Sequence, residues 1–403
     1  MTDEKKKVPE LRFPEFSGEW EEKKLGDVSN RVRRKNKALQ STMPLTISAH
    51  HGLVDQRVYF GRSVSSKNLE NYTLIYQDEF AYNKSYSNEL PYGAIKRLEK
   101  YSKGALSTLY ICFKFNKIDS TFMKYYFETT HWYHEIYKIA VEGARNHGLL
   151  NISVNDFFDI KINTSPSKNE QQKIGEFFSK LDRQIELEEQ KLEKLEELKK
   201  GYIQKIFSQE LRFKDENGND YPEWRKQRIG NIATTFSGGT PKSSNKNFYN
   251  GKIPFIRSGE ISKQSTELTI NEQAIFHSSA KMVEAGDLLY ALYGATSGEV
   301  AISKINGAIN QAVLCIRSQE VIGYLYSYLK IKKDKILRTY IQGGQGNLSA
   351  SIIKNLDINL PSIEEQEKIA GFFSNLDKLI EKQNQKMNVL KLRKRSFLQK
   401  LII

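Results

Sequence analysis

The sequence predicts an α+β protein in which one plan is used twice: a strand-rich mixed block, then a single long helix, then both again. Three observations carry this. First, Pro361 to Ile403 overlays Pro166 to Phe207 at a constant offset of 195 residues, so Glu170, Gln171, Lys173, Ile174, Phe177, Phe178, Ser179, Leu181 and Asp182 recur as Glu365, Gln366, Lys368, Ile369, Phe372, Phe373, Ser374, Leu376 and Asp377. Second, both copies have the period of a helix. Third, the blocks before them open and close alike while their interiors diverge. The period of about 200 residues is far too long for a solenoid and marks a duplicated domain. The chain divides into blocks at 1–164 and 209–360 and helices at 165–208 and 361–403.

The first block opens with Leu11, Arg12 and Phe13, then Trp20, Leu25 and Gly26; the second opens with Leu211, Arg212 and Phe213, then Trp224, Ile229 and Gly230. Short β-branched and aromatic runs follow, broken by Gly, Asn, Ser and Pro, and they read as strands. In the first block these are Thr73–Tyr76, Phe80–Tyr82 and Leu109–Phe113; in the second, Ile253–Ile256, Asp287–Ala291 and Ala312–Ile316. Cys112 and Cys315 each fall eight residues after a Gly-Ala pair, Gly104 or Gly307, inside an apolar run where a free cysteine packs as a small hydrophobe. Helical patterns follow at about 119–140 and 320–340. Leu150–Ser153 with Asp159–Ile162 and Leu348–Ser351 with Asp357–Leu360 then close the two blocks.

Each long helix starts at a proline and a serine, with Glu170, Glu364 and Glu365 in the first turns. Alternating steps of four and three from Ile174 meet Phe178, Leu181, Ile185, Glu188, Leu192, Leu195, Lys199, Tyr202 and Ile206, the a/d seam of a coiled coil. The second copy gives Ile369, Phe373, Leu376, Ile380, Gln383, Met387, Leu390, Lys394, Phe397 and Leu401. Both seams are polar at the same two steps. The apolar stripe is narrow and the rest of the first helix alternates Glu and Lys, so a partner helix must cover the seam, and the obvious partner is the other copy. Roughly 40 residues at about 1.5 Å each make a rod on the order of 60 Å long.

A net charge of +14 and a pI of about 9.3 favour a polyanionic partner, nucleic acid before membrane. The charged start, Asp3 to Lys7, has no apolar core behind it and no apolar run approaches a membrane span, so the expectation is a soluble cytoplasmic protein without membrane association. Catalytic signatures are missing: no adjacent prolines for an adenine methyltransferase loop, no glycine-rich dinucleotide loop, and no phosphate loop at Gly251-Lys252. His131 and His134, three apart on a predicted helix, lack a matching third ligand. No metal and no cofactor are expected on this chain.

Nucleic-acid chemistry does recur. Arg31, Arg33, Arg34, Lys35 and Lys37 put five cations in seven residues, suited to phosphates and guanine edges, or simply to a solvated loop. Ser237, Gly238, Gly239, Thr240 and Lys242 form a glycine-rich turn ending in a cation, where backbone N–H groups could meet a phosphate; a plain surface turn is the alternative. Just before each closing segment lie Arg145, Asn146 and His147 in one glycine-flanked loop and Gln342, Gln345 and Asn347 in the other, side chains that can reach base edges, since Asn and Gln pair with adenine and Arg with guanine. Arg257, Tyr86, Asn88, Tyr290, Tyr293 and Lys304 are weaker candidates.

These features together resemble the specificity subunits of type I restriction-modification systems: two variable blocks, each followed by a helix opening with Pro-x-x-x-Glu-Gln-x-Lys-Ile and Phe-Phe-Ser-x-Leu-Asp, with the Ser237–Pro241 turn similar as well. The resemblance implies two target-recognition domains that each read half of a split, asymmetric site in double-stranded DNA. It implies that the helices pack antiparallel as a spacer and face two adenine-methylating modification subunits, and that ATP-driven restriction subunits join them. Methyl transfer, ATP hydrolysis and cleavage, with S-adenosylmethionine, ATP and Mg2+, would belong to those partners and the chain itself would be non-catalytic. A regulatory protein that bridges two DNA sites without an enzyme partner is the alternative reading. In the first block no Gly-Gly-Thr-Pro turn is present, and Arg33 to Lys37 stand nearby instead.

Overall fold

A computed structural model describes residues 7–48, 51–61, 68–140, 150–340 and 347–403. The chain forms two compact units, Met1–Glu189 with Gln385–Ile403, and Gln190–Asn384. The division runs through both long helices, Lys168–Phe207 and Ile363–Leu401. Each unit therefore holds one mixed block and a piece of each helix.

In the first unit the strands are β1 (Glu21–Lys24), β2 (Ser29–Arg31), β3 (Leu45–Ser48), β4 (Gly52–Asp55), β5 (Thr73–Tyr76), β6 (Phe80–Asn83), β7 (Ala94–Arg97), β8 (Lys103–Leu106), β9 (Ile111–Phe115) and β10 (Lys161–Thr164). An antiparallel sheet runs β2-β9-β6-β7, beside the pairs β3-β4, β5-β8 and β1-β10. Pro44 bridges Ala105 in parallel, which brings the β3 and β8 pairs together. The core behind the sheet is aromatic: Tyr82 stacks on Phe157 at 4.7 Å, and Phe80 and Phe113 lie over one another at 5.5 Å. Ile174 and Phe178 of one long helix and Leu398, Leu401 and Ile402 at and just beyond the end of the other complete it.

The second unit repeats this order with β11 (Arg225–Arg228), β12 (Ala233–Ser237), β13 (Ile253–Ile256), β14 (Thr269–Ile270), β15 (Lys281–Val283), β16 (Leu288–Ala291), β17 (Val300–Ile302), β18 (Gly307–Ile309), β19 (Val313–Ser318) and β20 (Asp357–Leu360). Its main sheet is β12-β19-β16-β17, its second sheet β14-β13-β18-β15, and β11 pairs with β20. Strand for strand the topology matches. Cys112 and Cys315 are buried free thiols in β9 and β19. The helical stretches after these strands differ. Ile322–Tyr340 is one helix, but in the first unit Ser120–Tyr126 and Tyr133–Ile139 are separate. Between them Thr129 donates its hydroxyl to the Tyr126 carbonyl at 2.6 Å, a side-chain bond that competes with helix continuation. His131 precedes the second of these helices rather than sharing it with His134.

The seam residues of both long helices are all buried or half-buried. In the first unit Phe177 meets Phe397 edge-on at 5.3 Å, Asp182 pairs with Lys394 at 2.6 Å and Glu188 with Lys386 at 2.8 Å, so the helices run antiparallel there. In the second unit Lys199 pairs with Asp377 and Tyr202 meets Phe372 edge-on at 5.1 Å, in the same direction. The lysine step of each seam now has a physical reason. Each seam lysine, Lys199 or Lys394, neutralises the aspartate of the opposing Phe-Phe-Ser-x-Leu-Asp segment.

The shared Glu-Gln pair is explained too. Glu170, fully buried, accepts from Arg12 at 2.6 and 2.7 Å, and Glu365, equally buried, accepts from Arg212 at 2.7 Å and from the Trp224 indole at 3.0 Å. The neighbouring Gln171 and Gln366 side chains accept the backbone N–H groups of Asp119 and Val321 at 2.9 and 3.1 Å. One dipeptide thus ties each long helix to the opening segment of its block and to the segment that follows the cysteine strand.

Candidate nucleic-acid interface

Strand direction decides where the candidate residues meet. Both β2 and β6 run antiparallel to β9, with Arg31 opposite Phe113 and Tyr82 opposite Ile111. Their C-terminal ends therefore emerge together, at the edge of the sheet where β9 begins. Val32 continues the pairing by donating to the Cys112 carbonyl at 2.8 Å. From that edge leave the basic β2–β3 connection and the β6–β7 loop with Tyr86 and Asn88. The closing segment docks at the same place, Leu150 donating its N–H to the Lys84 carbonyl at 2.9 Å.

The second unit repeats the arrangement. Ser237 lies opposite Leu314 and Ala291 opposite Val313, so the Ser237–Lys242 turn and the Leu292–Tyr293 segment leave one edge of the main sheet. Leu348 donates to the Leu292 carbonyl at 3.0 Å and brings the exposed Asn347 there. Arg145, Asn146, His147, Gln342 and Gln345 lie outside the described residues. Segments far apart in sequence thus converge on one sheet edge in each unit.

Within that edge the cations divide into free and committed ones. Arg31, Arg33 and Lys37 are exposed and form no ion pair with a described residue. Arg34 is different: its guanidinium reaches both oxygens of the buried Glu79 carboxylate at 2.5 and 2.6 Å and covers the Tyr76 ring at 4.5 Å. Lys35 donates to the Asn71 carbonyl at 2.9 Å while remaining exposed. Lys242 and Lys246 are exposed without an ion pair to a described residue. The sequence reading does not single out Lys246. It opens the 3-10 turn Lys246–Tyr249 as Lys37 opens Lys37–Leu39, an equivalence visible only once β2–β3 and β12–β13 are aligned by topology.

The glycine-rich turn is built by packing. A Cβ on Gly238 would stand 1.8 Å from the Ile309 carbonyl oxygen, and one on Gly239 would stand 2.6 Å from the Ser279 Cβ, so only glycine lets this turn press onto β18 and the segment before β15. Thr240 donates its hydroxyl to the Gln311 side-chain oxygen at 2.6 Å and Tyr249 donates to the Pro241 carbonyl at 2.6 Å. The turn is a fixed platform that presents Lys242. The Ser237 hydroxyl is buried without a described partner.

Arg257 is held by Glu260 at 3.0 Å and Glu267 at 2.5 Å, and those carboxylates, Glu260 first, hold its guanidinium above the ordinary arginine range. Its fork is committed to the domain. Tyr290 is fully buried in the core, and Lys304 belongs to the β17–β18 turn at the opposite end of the main sheet from Ser237. Among the described residues no group of three or more His, Cys, Asp or Glu could hold a metal ion. No helix among them is long and apolar enough to cross a membrane.

The family model described as "Type I restriction modification DNA specificity domain" matches residues 17–197 and again 221–392. The MjaIX specificity subunit of a type I restriction enzyme from Methanocaldococcus jannaschii is 30% identical over 195 residues, 46% of this chain and 45% of that protein. The MjaVIII specificity subunit from the same organism is 27% identical over 207 residues, 48% of this chain and 46% of that one. These matches span about half the length of each relative. The crystal structure of the S subunit of a type I restriction-modification system from M. genitalium shares the fold, with a TM-score of 0.61 at 15% identity over 98% of this chain and 99% of that one.

Proposed function

Because the chain belongs to the type I restriction-modification DNA specificity family, we propose that it is the subunit that reads a bipartite, asymmetric site in double-stranded DNA for a methylating and cleaving complex. Each block reads one half-site from the sheet edge described above, Arg31, Arg33 and Lys37 acting in one and Lys242 and Lys246 in the other. Two modification subunits carry out adenine methylation with S-adenosylmethionine, and restriction subunits carry out ATP- and Mg2+-dependent cleavage. The chain itself contributes recognition without catalysis, and its helix pair sets the distance between half-sites.

The observation that carries this reading is the repetition. Two units of one topology each gather uncommitted cations and polar loops at the same sheet edge, while the loops themselves differ in sequence. That is what two readers of two different half-sites require, since phosphate contacts position a protein and base contacts specify it. The test is to co-express the chain with the methyltransferase encoded beside it in a host lacking other adenine methylation, then map methylated adenines by single-molecule sequencing. A split motif with a fixed gap is expected, absent when either component is omitted. No new methylation from a demonstrably assembled complex would favour a bridging protein instead.

A further inference from the structure

Each unit carries an exposed phenylalanine at the same place in its topology. The helix Gln56–Phe60 follows β4 and the helix Glu272–Phe276 follows β14. The strands before them are antiparallel pairs, β3-β4 and β13-β14, and the strands after them, β5 and β15, pair with β8 and β18. Both helices are five residues long, and both are capped by a side chain that accepts a backbone N–H at 2.9 Å, Asp55 from Arg57 and Asn271 from Ala274. Position by position they share only the last residue. Phe60 is 48% exposed and Phe276 is 83% exposed.

A lone apolar side chain on a surface is ordinary. The same aromatic at the same position of two domains whose connections have otherwise diverged needs a common cause. In the second unit its setting is known. Gly239 of the cationic turn packs on Ser279, three residues beyond Phe276. The capping Asn271 donates its side-chain amide to the Asn247 carbonyl at 2.7 Å, in the 3-10 turn that Lys246 opens. His277 stacks on Phe248 of that turn at 6.1 Å. The phenyl ring of Phe276 thus extends into solvent from a helix fixed between two segments whose lysines, Lys242 and Lys246, form no ion pair with a described residue.

We propose that Phe60 and Phe276 are paired apolar contacts to DNA, one for each half-site, whose rings pack on base edges or wedge at base steps, while beside Phe276 Lys242 and Lys246 hold phosphates. This rests on the reading of the chain as a DNA-recognition subunit. A rigid aromatic is suited to the task because an apolar side chain entering a groove of duplex DNA contacts thymine methyls or wedges at a base step. Lys242 and Lys246, on the two segments that hold the Phe276 helix and without an ion pair to a described residue, favour DNA over a protein partner as the occupant.

The test uses the full chain assembled with its methyltransferase subunit and a duplex bearing the mapped split site. Phe60→Ala and Phe276→Ala are each expected to weaken binding about tenfold or more, as the loss of one phenyl ring buried on binding implies. The slope of log K against log salt should stay unchanged, because no charge is removed. Phe276→Trp should keep affinity within a few-fold of wild type and so separates a missing contact from a disturbed domain. Unaltered affinity in both alanine variants overturns the proposal. Loss of co-purification with the methyltransferase at unaltered DNA affinity overturns it in favour of a protein-docking role. A wild-type complex that neither binds nor methylates a split site would instead remove the recognition reading beneath it.

Discussion

Arg33 and Arg34 are neighbours with opposite roles. Arg33 is exposed and without an ion pair to a described residue, whereas Arg34 compensates the carboxylate of Glu79, itself only 3% exposed. Replacing Arg31, Arg33 and Lys37 together with alanine should weaken DNA binding and lower the salt slope by up to about three, since each phosphate contact contributes about 0.9. Arg34→Ala should leave that slope alone and cost roughly 1–3 kcal/mol of stability by stranding a buried acceptor. Titrations of both proteins across salt concentration decide it; equal slopes in the triple variant and wild type would mean that the cluster faces away from DNA. The cysteines offer a second measurement. Burial pushes the Cys112 and Cys315 thiols up to about 12, with Asp287 adding to the effect at Cys315. Both should resist alkylation at pH 8 until the protein unfolds. An unfolded chain releases these protons nearer the ordinary value of 9.0 while the folded one retains them, so raising the pH between those values favours unfolding. Rapid labelling of the native protein at pH 8 would contradict this.

At the scale of elements, the Glu-Gln anchor is the contact whose loss should be felt most. Glu365→Ala leaves Arg212 and the Trp224 indole without their buried acceptor, and chemical denaturation should show a loss of about 3–5 kcal/mol. A loss under 1 kcal/mol would mean that water replaces the carboxylate easily. The sequence already carries this anchor as a repeated Glu-Gln, but its partners are unreadable there, because Arg212 and Glu365 lie 153 positions apart and only the fold joins them. The same holds for the helices. A seam with period 3.5 is legible because side-chain direction follows backbone period, and so are its breaks at Lys199 and Lys394. That each lysine answers an aspartate of the other helix requires knowing that the two run antiparallel. The break at Thr129 escaped the helical pattern because the Thr129 hydroxyl bond to Tyr126, which competes with helix continuation, leaves no mark on a hydrophobic period. For the candidate interface, composition marked the basic and glycine-rich loops. Their convergence depends on β2 and β6 sharing one neighbour in register, and the commitment of Arg34 and Arg257 depends on carboxylates placed by tertiary packing.

For the molecule as a whole, the contiguous unit of sequence and the compact unit of structure are different things. The first unit combines residues up to Glu189 with Gln385–Ile403, and Leu398, Leu401 and Ile402 belong to its core. Ending the chain at Asn384 removes three large apolar side chains worth about 1.5–3 kcal/mol each. Hydrogen exchange should then show the amides of β6 and β9 losing protection while those of β16 and β19 keep theirs. Full protection in the first unit of such a chain would show its core to be self-sufficient. During synthesis the same arrangement imposes an order. A ribosome adding about 5–20 residues per second needs roughly ten to forty seconds to pass from Glu189 to Gln385. Through that interval Ile174 and Phe178 have been made, and Tyr125 already packs on Phe178, but Leu398, Leu401 and Ile402 of the same core have not. The second unit can close as soon as Asn384 has emerged, so the domain begun first is finished last, and the nascent first half is the part of the protein with most need of a chaperone.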